Sequence, residues 1–255
     1  MMHIDEIKLI EKEMRKIIPI FLKELIEYVP FEKRRFLKDE MNLPFIISFE
    51  NGFGAWCRGN NIFFSIQNTT FFKKLSKRED FGKNPNTELV SEQEFIENDK
   101  DYLDYMQYIV DNGLTELDYS LDVLAHEVMH LVGCGGGVLG EGVTELRTRQ
   151  ICKKYGIRCA PIMHSKETKL VRMLEKHIGE MRLNEAAFTD YYELVLEKCE
   201  KVFGTEFKDL YQDLCIAYRE YLIDRSFDPI EHYKKYREIN FQPIYDLIES
   251  KNVDE

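Results

Sequence analysis

The chain has 255 residues, 44% of them hydrophobic and 32% charged, a composition that excludes a disordered or multi-span membrane protein. Its formal charge is −11, and no basic cluster exceeds short pieces such as Lys33-Arg34-Arg35, so nucleic acid and anionic membrane are poor partners. Six carboxylates interrupt residues 1–28, leaving neither a signal-peptide core nor a membrane span there. The expectation is a cytoplasmic protein, with leaderless secretion left open, whose six cysteines are reduced thiols.

In chain order, Ile4, Ile7, Ile10, Met14, Ile17, Ile18, Phe21, Leu22 and Leu25 recur at helical spacing and predict a helix interrupted near Pro19, with a shorter one after Pro30. The β-rich runs 45–48, 55–58 and 62–66 are separated by Asn51-Gly52 and Gly59-Asn60-Asn61, which are turn signals. They predict a small, mainly antiparallel sheet. Residues 76–100 are polar and read as a surface loop, followed by a helix over 102–112. The next helix opens near Thr115 or Ser120 and runs to Gly133, and another spans about 141–155 and stops at Gly156. From Lys166 to Ser250 the pattern is a series of amphipathic helices, with Pro229 and Pro243 at the breaks. The expected organisation is a helical segment (1–41), a catalytic core (42–160) and a helical C-terminal lobe (161–255), or one continuous domain.

Chemistry concentrates in the helix Ser120-Leu-Asp-Val-Leu-Ala-His126-Glu127-Val-Met-His130-Leu-Val-Gly133. Residues four apart lie one above the other on a helix face, so His126 and His130 are placed to ligate one zinc ion, and Glu127 to act on water as general base. A catalytic zinc needs a third protein ligand and room for water. The glycines at 133, 135, 136, 137 and 140 permit a reversal after His130, and Glu141 then opens the next helix where such a ligand is missing. The blander reading makes Glu141 a favourable charge at a helix N-terminus. Glu145, one turn on, and Asp122, one turn before His126, are candidates to accept the second ring N–H of a ligating histidine. For Asp122, N-terminal helix charge is the simpler role.

An HExxH helix followed by a helix beginning Glu141-Gly-Val-Thr-Glu145 resembles the gluzincins, the thermolysin-like and aminopeptidase-like zinc peptidases. The likeness covers residues 120–150, with a shorter spacer and with Gly140 where Asn is usual. It implies Glu141 as third ligand and Glu145 as the supporting carboxylate. It further implies an α+β zincin-like fold, its sheet packed on the HExxH helix, with substrate lying along an edge strand, for which Ile62–Ile66 is the candidate. The metzincin pattern HExxHxxGxxH fits only as far as Gly133, because the third histidine position is Gly136. Cys134, one turn beyond His130, reads as core filler and only secondarily as a thiolate ligand. For the oxyanion donor, His164, Tyr191, Tyr192 and His232 are eligible, and His164 leads because it follows the ligand helix after Pro161.

The sequence therefore predicts a metallopeptidase with one Zn2+ per chain, held by His126, His130 and Glu141, acting on a peptide or protein substrate. The rival outside catalysis is a zinc-stabilised interaction protein in which Glu127 is dispensable.

Overall fold

Helices dominate the computed structural model, which describes residues 4–29, 31, 46–50, 55–58, 61–65, 116–131, 135–157, 164–223 and 235–251. Among these, eight α-helices accompany three short strands: α1 (Ile4–Tyr28), β1 (Ile46–Glu50), β2 (Ala55–Arg58), β3 (Asn61–Ser65), α2 (Glu116–Leu131), α3 (Gly137–Tyr155), α4 (Ser165–Ile178), α5 (Glu180–Thr189), α6 (Glu193–Phe203), α7 (Thr205–Ile223) and α8 (Gln242–Ser250). The α+β expectation is corrected to a mainly helical fold. The expected helix over 102–112, the loop at 76–100 and the break at Pro229 lie outside the described residues.

The chain divides into two units. One comprises residues 1–132 with 147–163; the other comprises 133–146 with 164–255. Helix α3 contributes its first half to the second unit and its second half to the first.

In the first unit, α1 packs on α2, and α2 also covers β2 and β3. Ile17, Ile18, Phe21 and Leu22 of α1 are buried, as are Ile62, Leu124, Ala125, Val128 and Met129. The expected interruption at Pro19 is absent, because α1 runs through it. Pro19 is exposed while its apolar neighbours are buried, so the helical hydrogen bond it removes lies towards water. The pairs Arg15–Glu11 and Lys16–Glu13, at 2.8 and 2.5 Å, sit on the solvent side and add a few tenths of a kcal/mol each.

The sheet has the order β1-β3-β2. Strands β2 and β3 do form an antiparallel pair, Ala55 facing Phe64 and Arg58 facing Asn61. However, β1 pairs with β3 in parallel, Ile46 opposite Asn61 and Glu50 opposite Ser65. Turn residues specify only the link between consecutive strands, and β1 is not the partner of β2. With neighbours on both sides, β3 is the central strand, so the expected substrate edge at 62–66 is corrected too.

In the second unit, α6 packs on α4, α5 and α7, while α8 packs on α4 and α7. Phe203, Phe207 and Tyr211 stack in succession at ring separations of 5.3 and 6.2 Å. Pro243 sits in the first turn of α8, where its missing N–H costs nothing. The start of α3 meets α4 closely: a Cβ on Gly142 would lie 2.5 Å from the Glu167 carbonyl oxygen and 2.7 Å from Val171. Among the described residues, no helix is long and apolar enough to cross a membrane.

Candidate metal centre

Helix α2 carries its apolar residues inward and the two imidazoles at its margin. Leu124, Ala125, Val128 and Met129 are wholly buried, whereas His126 and His130 are half-buried. Their Nε2 atoms lie 3.1 Å apart, with ring centroids at 4.9 Å and planes inclined by 67°. Two nitrogens bound tetrahedrally to one zinc at ~2.0–2.1 Å stand about 3.3 Å apart. The helix thus presents the pair at close to the separation one ion requires. Glu127, between them in sequence, is buried at 8% exposure.

Asp122 does something else than shield a helix terminus. Its Oδ2 accepts from Arg149 Nη2 at 3.2 Å, both side chains being nearly inaccessible, and this buried pair fastens α2 to the second half of α3. Arg147, wholly buried, lies 5.7 Å over the Tyr28 ring and donates to Gln150 at 3.0 Å. Glu24 of α1 accepts from Lys154 at 2.5 Å and from the Tyr155 hydroxyl. These two donors hold its carboxyl below the ordinary range, while Glu24 in turn raises the pKa of both.

In the second unit, α3 begins at Gly137, four residues earlier than expected, and its first turn contains no acid. Glu141 therefore lies beyond the first turn, and the terminal-charge reading loses its geometry. Its carboxylate is half-buried, with Oε2 3.7 Å from His164 Nε2. Glu145 lies one turn further along the same face and is buried at 2% exposure. Gly140, where the gluzincin pattern has Asn, is obligatory: any Cβ there would sit 1.9 Å from the Gly135 carbonyl oxygen and 2.9 Å from the Tyr192 hydroxyl. Gly136, the third position of the metzincin pattern, is exposed, and a Cβ on it would lie 3.5 Å from Glu141 Oε1.

His164 occupies the N-cap of α4 but makes no side-chain cap hydrogen bond there. Its Nδ1 instead faces Glu167 Oε1 at 3.5 Å. Glu167 is completely buried and accepts from the Tyr236 hydroxyl at 2.5 Å. The 235–241 segment is tied to the same helix start: Lys166 Nζ donates to the Arg237 and Ile239 carbonyls at 2.8 and 3.0 Å, and Tyr245 donates to the Lys166 carbonyl at 2.6 Å.

Sequence reasoning missed Glu167 and the tyrosines gathered around it. Burial, then the charge of Glu167, pushes the Tyr236 phenol far up. Tyr218 and Tyr221 are raised by burial and by the charges of Glu167 and Glu141, so all three hydroxyls stay protonated donors across the neutral range. Most of the fourteen tyrosines read as packing or surface residues, and the aromatics of 188–245 at helical spacing as core, so no signal singled these out. Of the other expected donors, Tyr191 is exposed and bonds Glu193 at 2.8 Å. His232 and Cys134 lie outside the described residues.

The thiol expectation is corrected in part: Cys152 is disulfide-bonded, while Cys199 and Cys215 are free. Burial raises the Cys199 thiol to about 12, so it is inert near neutrality. No family model, no curated protein and no solved structure matches this chain.

Proposed function

We propose that this protein is a zinc-dependent peptidase, with His126, His130 and Glu141 as metal ligands and Glu127 as general base. The observation that carries the reading is the His126–His130 pair, two ring nitrogens 3.1 Å apart on the HExxH helix, with a buried carboxylate beside them. The donor set of two imidazoles and a carboxylate is that of a hydrolytic zinc site of the gluzincin kind. Zinc, when bound, supplies Lewis acidity, acidifying water and polarising a carbonyl.

The chain's own groups do the rest. Glu127 takes the proton from the attacking water and returns it to the departing amine; its burial keeps bulk solvent from competing for that proton. Glu145, one turn from Glu141 and buried, supports the site electrostatically. Tyr221 is half-buried and stays neutral under the charges of Glu167 and Glu141, so it can donate to a developing oxyanion. The substrate is a peptide or protein, without a stated sequence preference.

Glu127→Gln tests the assignment. It should lower hydrolysis of a mixed peptide library by about 100- to 10,000-fold while zinc content stays at the wild-type level. Equal loss of metal and activity would show that Glu127 is misassigned, and unchanged activity would remove it from the mechanism.

A further inference from the structure

We infer that the cleft between α5 and α6 binds a small organic anion, a single carboxylate or sulfonate-like group carried on an aliphatic or aromatic body. The inference concerns the second unit alone and does not depend on the zinc reading.

The cleft has a volume of about 550 Å³, within the ~300–1,000 Å³ typical of small-molecule sites. Local chain geometry builds it. Helix α5 ends at Asp190, whose left-handed φ of 55° lets the Tyr191 N–H donate to the Ala186 carbonyl at 3.2 Å. Helix α6 then starts at Glu193 and packs back on α5. Ala186 and Val195, both buried, contribute apolar lining from the two helices. Tyr191 and Leu194 line the same cleft and stay 52% and 55% exposed. One exposed apolar side chain is ordinary, but two that share a cleft with a buried apolar lining leave a surface for a ligand to cover.

Charge decides what kind of ligand fits. Arg182 of α5 and Lys198 and Lys201 of α6 also line the cleft, and none of the three forms an ion pair with a described residue. Glu185 and Glu197 complete the charged lining. Three cations against two carboxylates leave a surplus of one positive charge, in a chain whose net charge is −11. A monoanion neutralises that surplus through charge-assisted hydrogen bonds. A polyphosphate would meet two carboxylates and too few cations. A wholly polar anion would leave Tyr191 and Leu194 uncovered, so the anionic group needs an apolar body.

The probe is anilinonaphthalene sulfonate, a monoanion on an aromatic frame, titrated by fluorescence into the full chain. Phenylnaphthylamine, the same frame without the sulfonate, is the neutral comparison. The sulfonate should bind saturably and be displaced by decanoate. Lys198→Gln combined with Lys201→Gln should weaken it about 5- to 20-fold and leave the neutral amine within about 2-fold. Leu194→Ser should weaken both probes about 3- to 10-fold. Lys8→Gln combined with Lys12→Gln removes the same charge from exposed positions of α1 and should leave both affinities unchanged. Absence of saturable binding, or a wild-type sulfonate affinity in the Lys198/Lys201 variant, would overturn the inference. Equal weakening by the two double variants would assign the effect to net charge and overturn it as well. Displacement by ATP in preference to decanoate would make the cleft a polyanion site, against the monoanion inferred.

Discussion

Glu141 and Glu145 share one face of α3, and the proposed zinc site gives them different duties. Glu141 is half-buried with His164 at 3.7 Å, whereas Glu145 is almost fully enclosed. A ligand must reach both metal and water, and a supporting carboxylate need not. Glu141→Ala should therefore remove most of the bound zinc, and Glu145→Ala should cost only about 10- to 100-fold in affinity or activity. Side-by-side zinc titrations decide between them. Metal lost from the Glu145 variant and kept by the Glu141 variant would place the ligand one turn along. The sequence singled out Glu141 because its spacing from His130 and its Glu-Gly-x-Thr-Glu setting are local. It did not reach Glu167, whose importance comes from a tyrosine 69 residues away.

At the scale of elements, packing distances make sharp expectations. Gly142 is where α3 meets α4, and a methyl group there would collide with the Glu167 carbonyl and Val171. Gly142→Ala should destabilise the protein by about 1–3 kcal/mol in denaturant unfolding. Gly136→Ala, exposed and with 3.5 Å of clearance, should change stability far less. Equal effects would mean that α3 and α4 do not approach as described. The Glu24 carboxylate offers a pH test on α1. Its folded pKa lies below the ordinary value, so its stabilisation is present above the usual carboxylate range and is lost as pH falls through the depressed value. Glu24→Gln should accordingly be less stable than wild type at neutral pH, with the difference closing on acidification. A gap that persists in acid would assign the effect to packing. Helix boundaries were legible where glycine marks them: α3 ends at Tyr155, before Gly156 at φ 62°. Its start was not legible, since Gly137 and Gly140 read as a loop and are helical instead. Close approach to the Gly135 backbone explains glycine at 140 better than flexibility does.

For the whole molecule, apolar periodicity located α1, whereas residues 121–130 of α2 and 138–149 of α3 are buried or half-buried all round. The sheet was misjudged for a physical reason: alternation and turn residues report neighbours in sequence, while the β1–β3 parallel pairing joins strands that are not consecutive. The zincin likeness also implied α+β, although it covers only residues 120–150. The net charge of −11 gives no reason to invoke nucleic acid. The disulfide at Cys152 shows that cysteine number and spacing alone do not settle pairing.

The central claim is that the HExxH helix holds zinc, and metal content tests it most directly. Elemental analysis of the full chain, expressed with zinc and freed of loosely bound metal, should find close to one zinc ion per chain, and none in the His126→Ala variant. Wild-type protein without zinc, or a His126→Ala variant that keeps it, would contradict the account.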